Sequence, residues 1–125
     1  MGFTPGQQVQ ELGWDEDADE ALRDSVMDAI EDDLIYEAVE AVDAVLLWWR
    51  EDDGDLADGL VDALTDLAER GTVWLLTPKV GQPGFVDAAD IAEAALTAGL
   101  SQTSTVKVSP TWQAHKLVRP KGARR

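Results

Sequence analysis

The chain has 125 residues, with 25 Asp and Glu against 10 Lys and Arg, a formal charge of −15, and 45 % of it is hydrophobic. That length holds one core of ordinary size, that hydrophobic share excludes disorder for most of the chain, and a body this acidic repels phosphate backbones, which argues against general nucleic-acid binding. With no Cys and one His, disulfides, thiol catalysis, iron–sulfur clusters, cysteine zinc sites and two-histidine motifs are excluded.

Residues 1–10 show neither a basic nor an apolar signal region, so no secretory signal is expected. Residues 7–12 (QQVQEL) follow the turn pair Pro5-Gly6 and predict a short strand with Val9 and Leu12 as its apolar positions. Over 15–33, Leu22, Val26, Ile30 and Leu34 recur every four residues, which predicts a helix. Asp15, Asp17 or Asp19 can cap it. Residues 42–49 (VDAVLLWW) form a nearly continuous apolar run ended by an acidic loop, the pattern of a strand buried on both faces of a parallel sheet. A second amphipathic helix is predicted over 55–70, capped by Asp55 and terminated by Gly71. Residues 72–77 (TVWLLT) read as another buried strand stopped by Pro78. After the loop 79–84 (KVGQPG), a third helix is predicted over 87–98, opened by an Asp87/Asp90 capping box and closed by Gly99. Residues 103–108 and 112–118 alternate in polarity around Ser109-Pro110 and predict an antiparallel hairpin. Residues 1–120 are therefore expected to be one α/β domain, with 121–125 a flexible basic tail. The longest apolar run, 44–49, falls far short of the roughly 20 residues that span a bilayer, so no membrane association is expected and the cytoplasm is the expected compartment.

Strands alternating with helices predict a three-layer fold with a mostly parallel sheet, right-handed crossovers and a C-terminal antiparallel hairpin. The segments PGQQVQELGW, VLLWWREDDGDL, VWLLTPKVGQPG and AEAALTAGL and the closing TW…KLV resemble the actinobacterial form of a bacterial family catalogued as domain of unknown function 3052, from about Phe3 to Pro120. The resemblance implies a small Rossmann-like domain related to the second half of class I methyltransferases. It implies no activity.

Ligands of open parallel sheets sit at the carboxyl ends of the strands. Those ends are predicted to carry Trp14, Trp48, Trp49, Arg50, Thr77 and Lys79, a set of indoles and cations able to stack on and pair with a flat or anionic ligand. Equally, alternate Trp side chains can pack beneath helices while Arg50 and Lys79 neutralise nearby acids. Dinucleotide and S-adenosylmethionine sites need a glycine-rich turn after the first strand, and residues 11–15 offer only Gly13, so no cofactor is expected. Residues 81–84 form a weak anion loop, because Pro83 donates no N–H. Asp52, Asp53 and Asp55 are weak candidates for a divalent cation, since a solvated turn and a helix cap account for them without one. A phosphoacceptor receiver domain would need five strand–helix repeats, and about three are present. His115 has no evident partner, and no Ser sits in a nucleophile-elbow context, so no residue is assigned a catalytic role.

The charge is uneven. Residues 1–70 hold 22 acids and only Arg23, Arg50 and Arg70, a balance of −19, whereas 71–125 balance at +4. The basic end can meet the chain's own acidic half, a second copy, or an acidic partner. The expected function is a non-catalytic regulatory or protein-binding module whose partner, protein or small ligand, the sequence leaves open, with a homodimer as one option. The alternative is a small enzyme or ligand-binding domain using the strand-end crevice.

Overall fold

Five strands and three helices form from these patterns in a computed structural model that describes residues 1–38 and 40–120. In chain order they are β1 (Val9–Leu12), α1 (Glu20–Ile30), β2 (Val42–Trp48), α2 (Leu56–Ala63), β3 (Leu67–Pro78), α3 (Ala88–Thr97), β4 (Ser101–Lys107) and β5 (Trp112–Val118). The sheet order is β1-β2-β3-β5-β4. β1, β2 and β3 are parallel, and β5 is antiparallel to both β3 and β4. The hairpin therefore does more than extend the sheet: its second strand inserts beside β3 and leaves β4 at the edge.

Strand alternation sorts the core into two layers. Ala44, Leu46 and Trp48 of β2 face Leu22, Val26 and Ile30 of α1, together with Trp74, Leu76 and Trp112. Val45 and Leu47 face Leu56, Leu60 and Ala63 of α2 and Ile91, Ala94 and Ala95 of α3. The fold is a three-layer α/β sandwich. No helix among the described residues is long and apolar enough to cross a membrane.

The first helix is shorter than its periodicity predicts. Asp19 is the cap, its carboxylate accepting the Leu22 N–H at 2.9 Å, and Asp15–Ala18 form a turn outside the helix. α1 ends at Glu31 in the left-handed region, φ 59°. The second helix also departs from expectation. Asp55 caps it as predicted, accepting from Ala57 and Asp58, but it stops at Ala63 rather than reaching Gly71. Leu67 instead pairs with Val42 and opens β3, and the register then shifts so that Ala44 meets Thr72. Arg119 holds this irregular stretch by donating to the carbonyls of Ala68 (2.8 Å) and Glu69 (3.1 Å). α3 begins after Asp87 as expected, but the Asp87 side chain makes no capping bond, so the predicted capping box does not form. Gly99 closes α3 with φ 79°, allowing Leu100 N–H to reach Ala95 O at 2.8 Å. The predicted tail 121–125 lies outside the described residues.

Candidate functional site

β1, β2 and β3 end on the same side of the sheet and deliver Gly13-Trp14, Trp49-Arg50 and Lys79 to it. Arg50 dominates this end. Its side chain is only 10 % exposed. Its Nε donates to Asp17 Oδ2 at 3.0 Å and its Nη2 to Asp17 Oδ1 at 2.5 Å. Its Nη1 donates to Gly13 O at 2.7 Å and to Asp53 Oδ2 at 3.3 Å. The guanidinium carbon lies 5.3 Å from the centre of the Trp112 ring. The Trp112 indole N–H in turn donates to Asp17 O at 3.0 Å. Only arginine presents a planar fork able to satisfy a carboxylate and a carbonyl together while stacking on an indole. The hydrogen bond from Arg50 holds the Asp17 carboxyl below its ordinary value. Burial alone would lower the Arg50 value, but the bonds and charges of Asp17 and Asp53 together outweigh it and the value rises.

The backbone is shaped around this group. A side chain at Gly13 would strike the Trp48 carbonyl, and one at Gly84 would stand 2.9 Å from Arg50 Cβ. Glu51 N–H donates to Gly84 O at 2.9 Å, fastening the loop after β3 to the end of β2.

A second, part-buried ion pair joins Arg23 of α1 to Glu11 of β1. Glu11 accepts from Arg23 Nε (2.6 Å), Arg23 Nη2 (2.7 Å) and the Trp48 indole N–H (2.9 Å). Arg23 also reaches Glu20 at 2.7 Å and lies 5.7 Å from the Trp14 ring centre. The Trp14 indole N–H bonds Glu20 at 2.9 Å.

The predicted site residues therefore divide. Trp48 is fully buried, with its ring edge-on to Trp112 at 4.8 Å. Its neighbour Trp49 points to the opposite face and packs on α2, where Gly59 makes room: a Cβ there would lie 2.5 Å from the indole Cζ3. A glycine inside a helix costs roughly 1 kcal/mol relative to alanine, a loss of helix stability that the indole's position offsets. Thr77 is buried, and its Oγ1 lies 2.9 Å from His115 Nε2. Lys79 is half-buried, and its backbone N–H bonds Thr111 O at 2.9 Å. Trp14 is 49 % exposed. Of the metal candidates Asp52, Asp53 and Asp55, Asp53 accepts from Arg50 and Asp55 caps α2. No group of three His, Cys, Asp or Glu among the described residues is placed to hold a metal ion.

Two concavities border this end of the sheet. One, about 210 Å³, lies over Trp112 between Asp17, Pro78 and Pro83. The other, about 330 Å³, lies between α2 and α3 and includes Trp49, Glu51, Asp55, Asp90 and Glu93.

The model of the family described as "Protein of unknown function (DUF3052)" matches residues 1–121. The chain belongs to that family. Family relatives include the uncharacterized proteins Rv2239c of Mycobacterium tuberculosis and Mb2263c of Mycobacterium bovis, each 51 % identical over 122 residues, covering 97 % of this chain and 77 % of the relative. Among solved structures, the O-methyltransferase NcsB1 from neocarzinostatin biosynthesis matches with a TM-score of 0.68 at 11 % identity, covering 92 % of this chain and 50 % of that one. A SAM-dependent methyltransferase from Aquifex aeolicus matches with a TM-score of 0.58 at 11 % identity, covering 93 % and 84 %. At such identity the likeness is one of fold: this DUF3052 member has a methyltransferase-like, Rossmann-like architecture.

Arg50 is legible in the sequence, whereas its setting on Asp17 and Trp112 is not, nor is the separate pairing of Arg23 with Glu11. The available signal was Arg50 itself, one of three bases in an acidic stretch of 70 residues and placed directly after a buried strand. Its partners come from distant segments that only the strand order brings together.

Proposed function

We propose that this DUF3052 member is a non-catalytic, cytoplasmic regulatory module that binds a protein partner. One observation carries the reading. At the strand ends, where open α/β sheets receive ligands, stands the Arg50 guanidinium, bonded to Asp17, Gly13 and Asp53 and stacked on Trp112. A nucleotide or S-adenosyl ligand entering there would have to break a bidentate ion pair and displace an arginine from an indole face. The glycine-poor segment after β1 supports the same reading, because Gly13 serves the approach to Trp48 and offers no cradle of successive N–H groups.

The second reading, a ligand site at the strand ends, draws support from the 210 Å³ concavity over Trp112. Thermal shift separates the two. S-adenosylmethionine, ATP, NAD, glucose 6-phosphate and Mg²⁺ should leave Tm unchanged on the first reading, whereas a ligand at 100 times its Kd adds about 2.7 kcal/mol. A saturable rise with any of them, abolished by Lys79→Ala, would replace the first reading with the second.

A further inference from the structure

We infer that the groove between α2 and α3 receives an arginine or lysine side chain from a basic, extended segment of a partner protein. The inference rests on the binding-module reading and adds the chemistry of the partner. The groove, about 330 Å³, is walled by the Trp49 indole and rimmed by Glu51, Asp55, Asp90 and Glu93, over a floor that includes Val86 and Ala94. Val86 and Ala94 are buried in the core. Among the described residues the ion pairs are those of Arg23 with Glu11 and Glu20, and of Arg50 with Asp17 and Asp53. The four rim carboxylates belong to none of them. Among the described residues no Lys or Arg pairs with them, unlike the acids around Arg50, and Asp55 meets only the N–H groups of Ala57 and Asp58 at the start of α2.

The arrangement selects among cations. The rim acids surround the groove without converging, and no group of three among the described residues can hold a metal ion. A small ion is thereby poorly served. A long side chain is well served: its methylenes lie on the apolar floor, its charge meets the rim, and its cationic head faces the indole. Trp49 is fixed for this contact by Gly59, whose missing Cβ leaves space for the ring. Phosphates and acidic peptides are repelled. A partner with a basic segment is also drawn over a distance by the acidic half of the molecule.

The test uses the full chain at about 0.15 M NaCl, where the Debye length is about 8 Å, and a fluorescein-labelled peptide of alternating glycine and arginine. Anisotropy gives the affinity, and the five indole N–H resonances, with Trp49 assigned through Trp49→Phe, give the location. Binding should move the Trp49 resonance. The double variant Asp90→Asn/Glu93→Gln should weaken binding about tenfold. Asp24→Asn/Asp28→Asn, which removes the same charge from α1, should change it less than twofold. Circular dichroism verifies that both variants stay folded, with Glu51→Gln as a third variant away from α3. Absence of binding, an unmoved Trp49 resonance, or equal weakening in the two double variants would overturn the inference. Tighter binding of spermidine than of the peptide would overturn its protein-partner part. Failure here leaves the module reading intact, since that reading fails instead through a saturable rise in Tm with one of the small ligands, abolished by Lys79→Ala.

Discussion

Arg50 and Gly13 form one unit, because the arginine's Nη1 closes on the carbonyl of the glycine at which a Cβ would strike the Trp48 carbonyl at the end of β2. Lysine cannot reproduce that contact set: it has one ammonium where the fork needs three nitrogens in a plane. Arg50→Lys should therefore lose nearly as much stability as Arg50→Ala. The expected loss is about 2 kcal/mol, the scale of hydrogen bonds to charged groups, and it is moderated because the Asp17 side chain is 53 % exposed and can rehydrate. Urea unfolding of the two variants checks this, and full retention of stability by Arg50→Lys would show that charge alone suffices. Gly13 and Gly6 both have positive φ, 77° and 89°, yet only at Gly13 would a Cβ meet other atoms. Gly6→Ala should then cost about 1 kcal/mol for the left-handed backbone, and Gly13→Ala clearly more, because the strand ends must separate. Equal costs would mean that the approach to Trp48 is loosely held.

The hairpin carries the molecule's only histidine into the core. His115 is 4 % exposed, flanked by Thr77 Oγ1 at 2.9 Å and Thr105 Oγ1 at 3.2 Å. Burial pushes its pKa below the ordinary 6.5. The folded state therefore favours the neutral ring, and its contribution to stability is complete above pH 6.5. It is lost as pH falls, because the unfolded chain takes up the proton first. Lowering pH also relieves repulsion among the acids, so the measurable quantity is a difference: between pH 7.5 and 5.5, the Tm of the wild type should fall relative to that of His115→Gln. Parallel curves would place the ring in contact with water. Neither this pairing nor its partners was legible in the sequence, since Thr77 and His115 meet only because β5 inserts beside β3. The elements themselves were legible where local pattern and tertiary need agree, as at 42–48 and at the Asp55 cap. They were misread where the two conflict. The apolar spacing of Leu60, Leu64, Leu67 and Ala68 continues a helix, but Val42 needs a strand partner, so Leu67 leaves α2 to provide one. Of the candidate site, Arg50 and Trp49 could be picked out from residue type. Their separation onto different sides, one sealing the strand ends and one walling a groove, follows from strand alternation, which sends Trp48 and Trp49 to opposite faces.

Across the whole molecule, the strand order converts a charge split along the sequence into one across the sheet. The −19 of residues 1–70 belongs to the β1-β2 side with α1 and α2, whereas Lys107, Lys116 and Arg119 lie on or just after β4 and β5. The acidic surface has few cations to answer it, because Arg23 and Arg50 are already engaged with Glu11 and Asp17. Salt acts unequally on these two populations. Exposed acids repel one another through water and are screened within a Debye length, which shrinks from about 20 Å near 0.02 M to under 6 Å at 0.3 M. The Arg50 and Arg23 side chains are 10 % and 23 % exposed, so their pairs with Asp17 and Glu11 are screened less than charges that stand fully in water. Relief of repulsion should therefore win, and Tm should rise by several degrees over that range, given roughly 4 °C per kcal/mol for a chain of this length. Asp24→Asn/Asp28→Asn, which thins the acidic coat, should raise Tm at low salt and flatten the curve. A Tm that stays level or falls with NaCl would mean that the attractive pairs, rather than the coat, set the electrostatic balance of the fold.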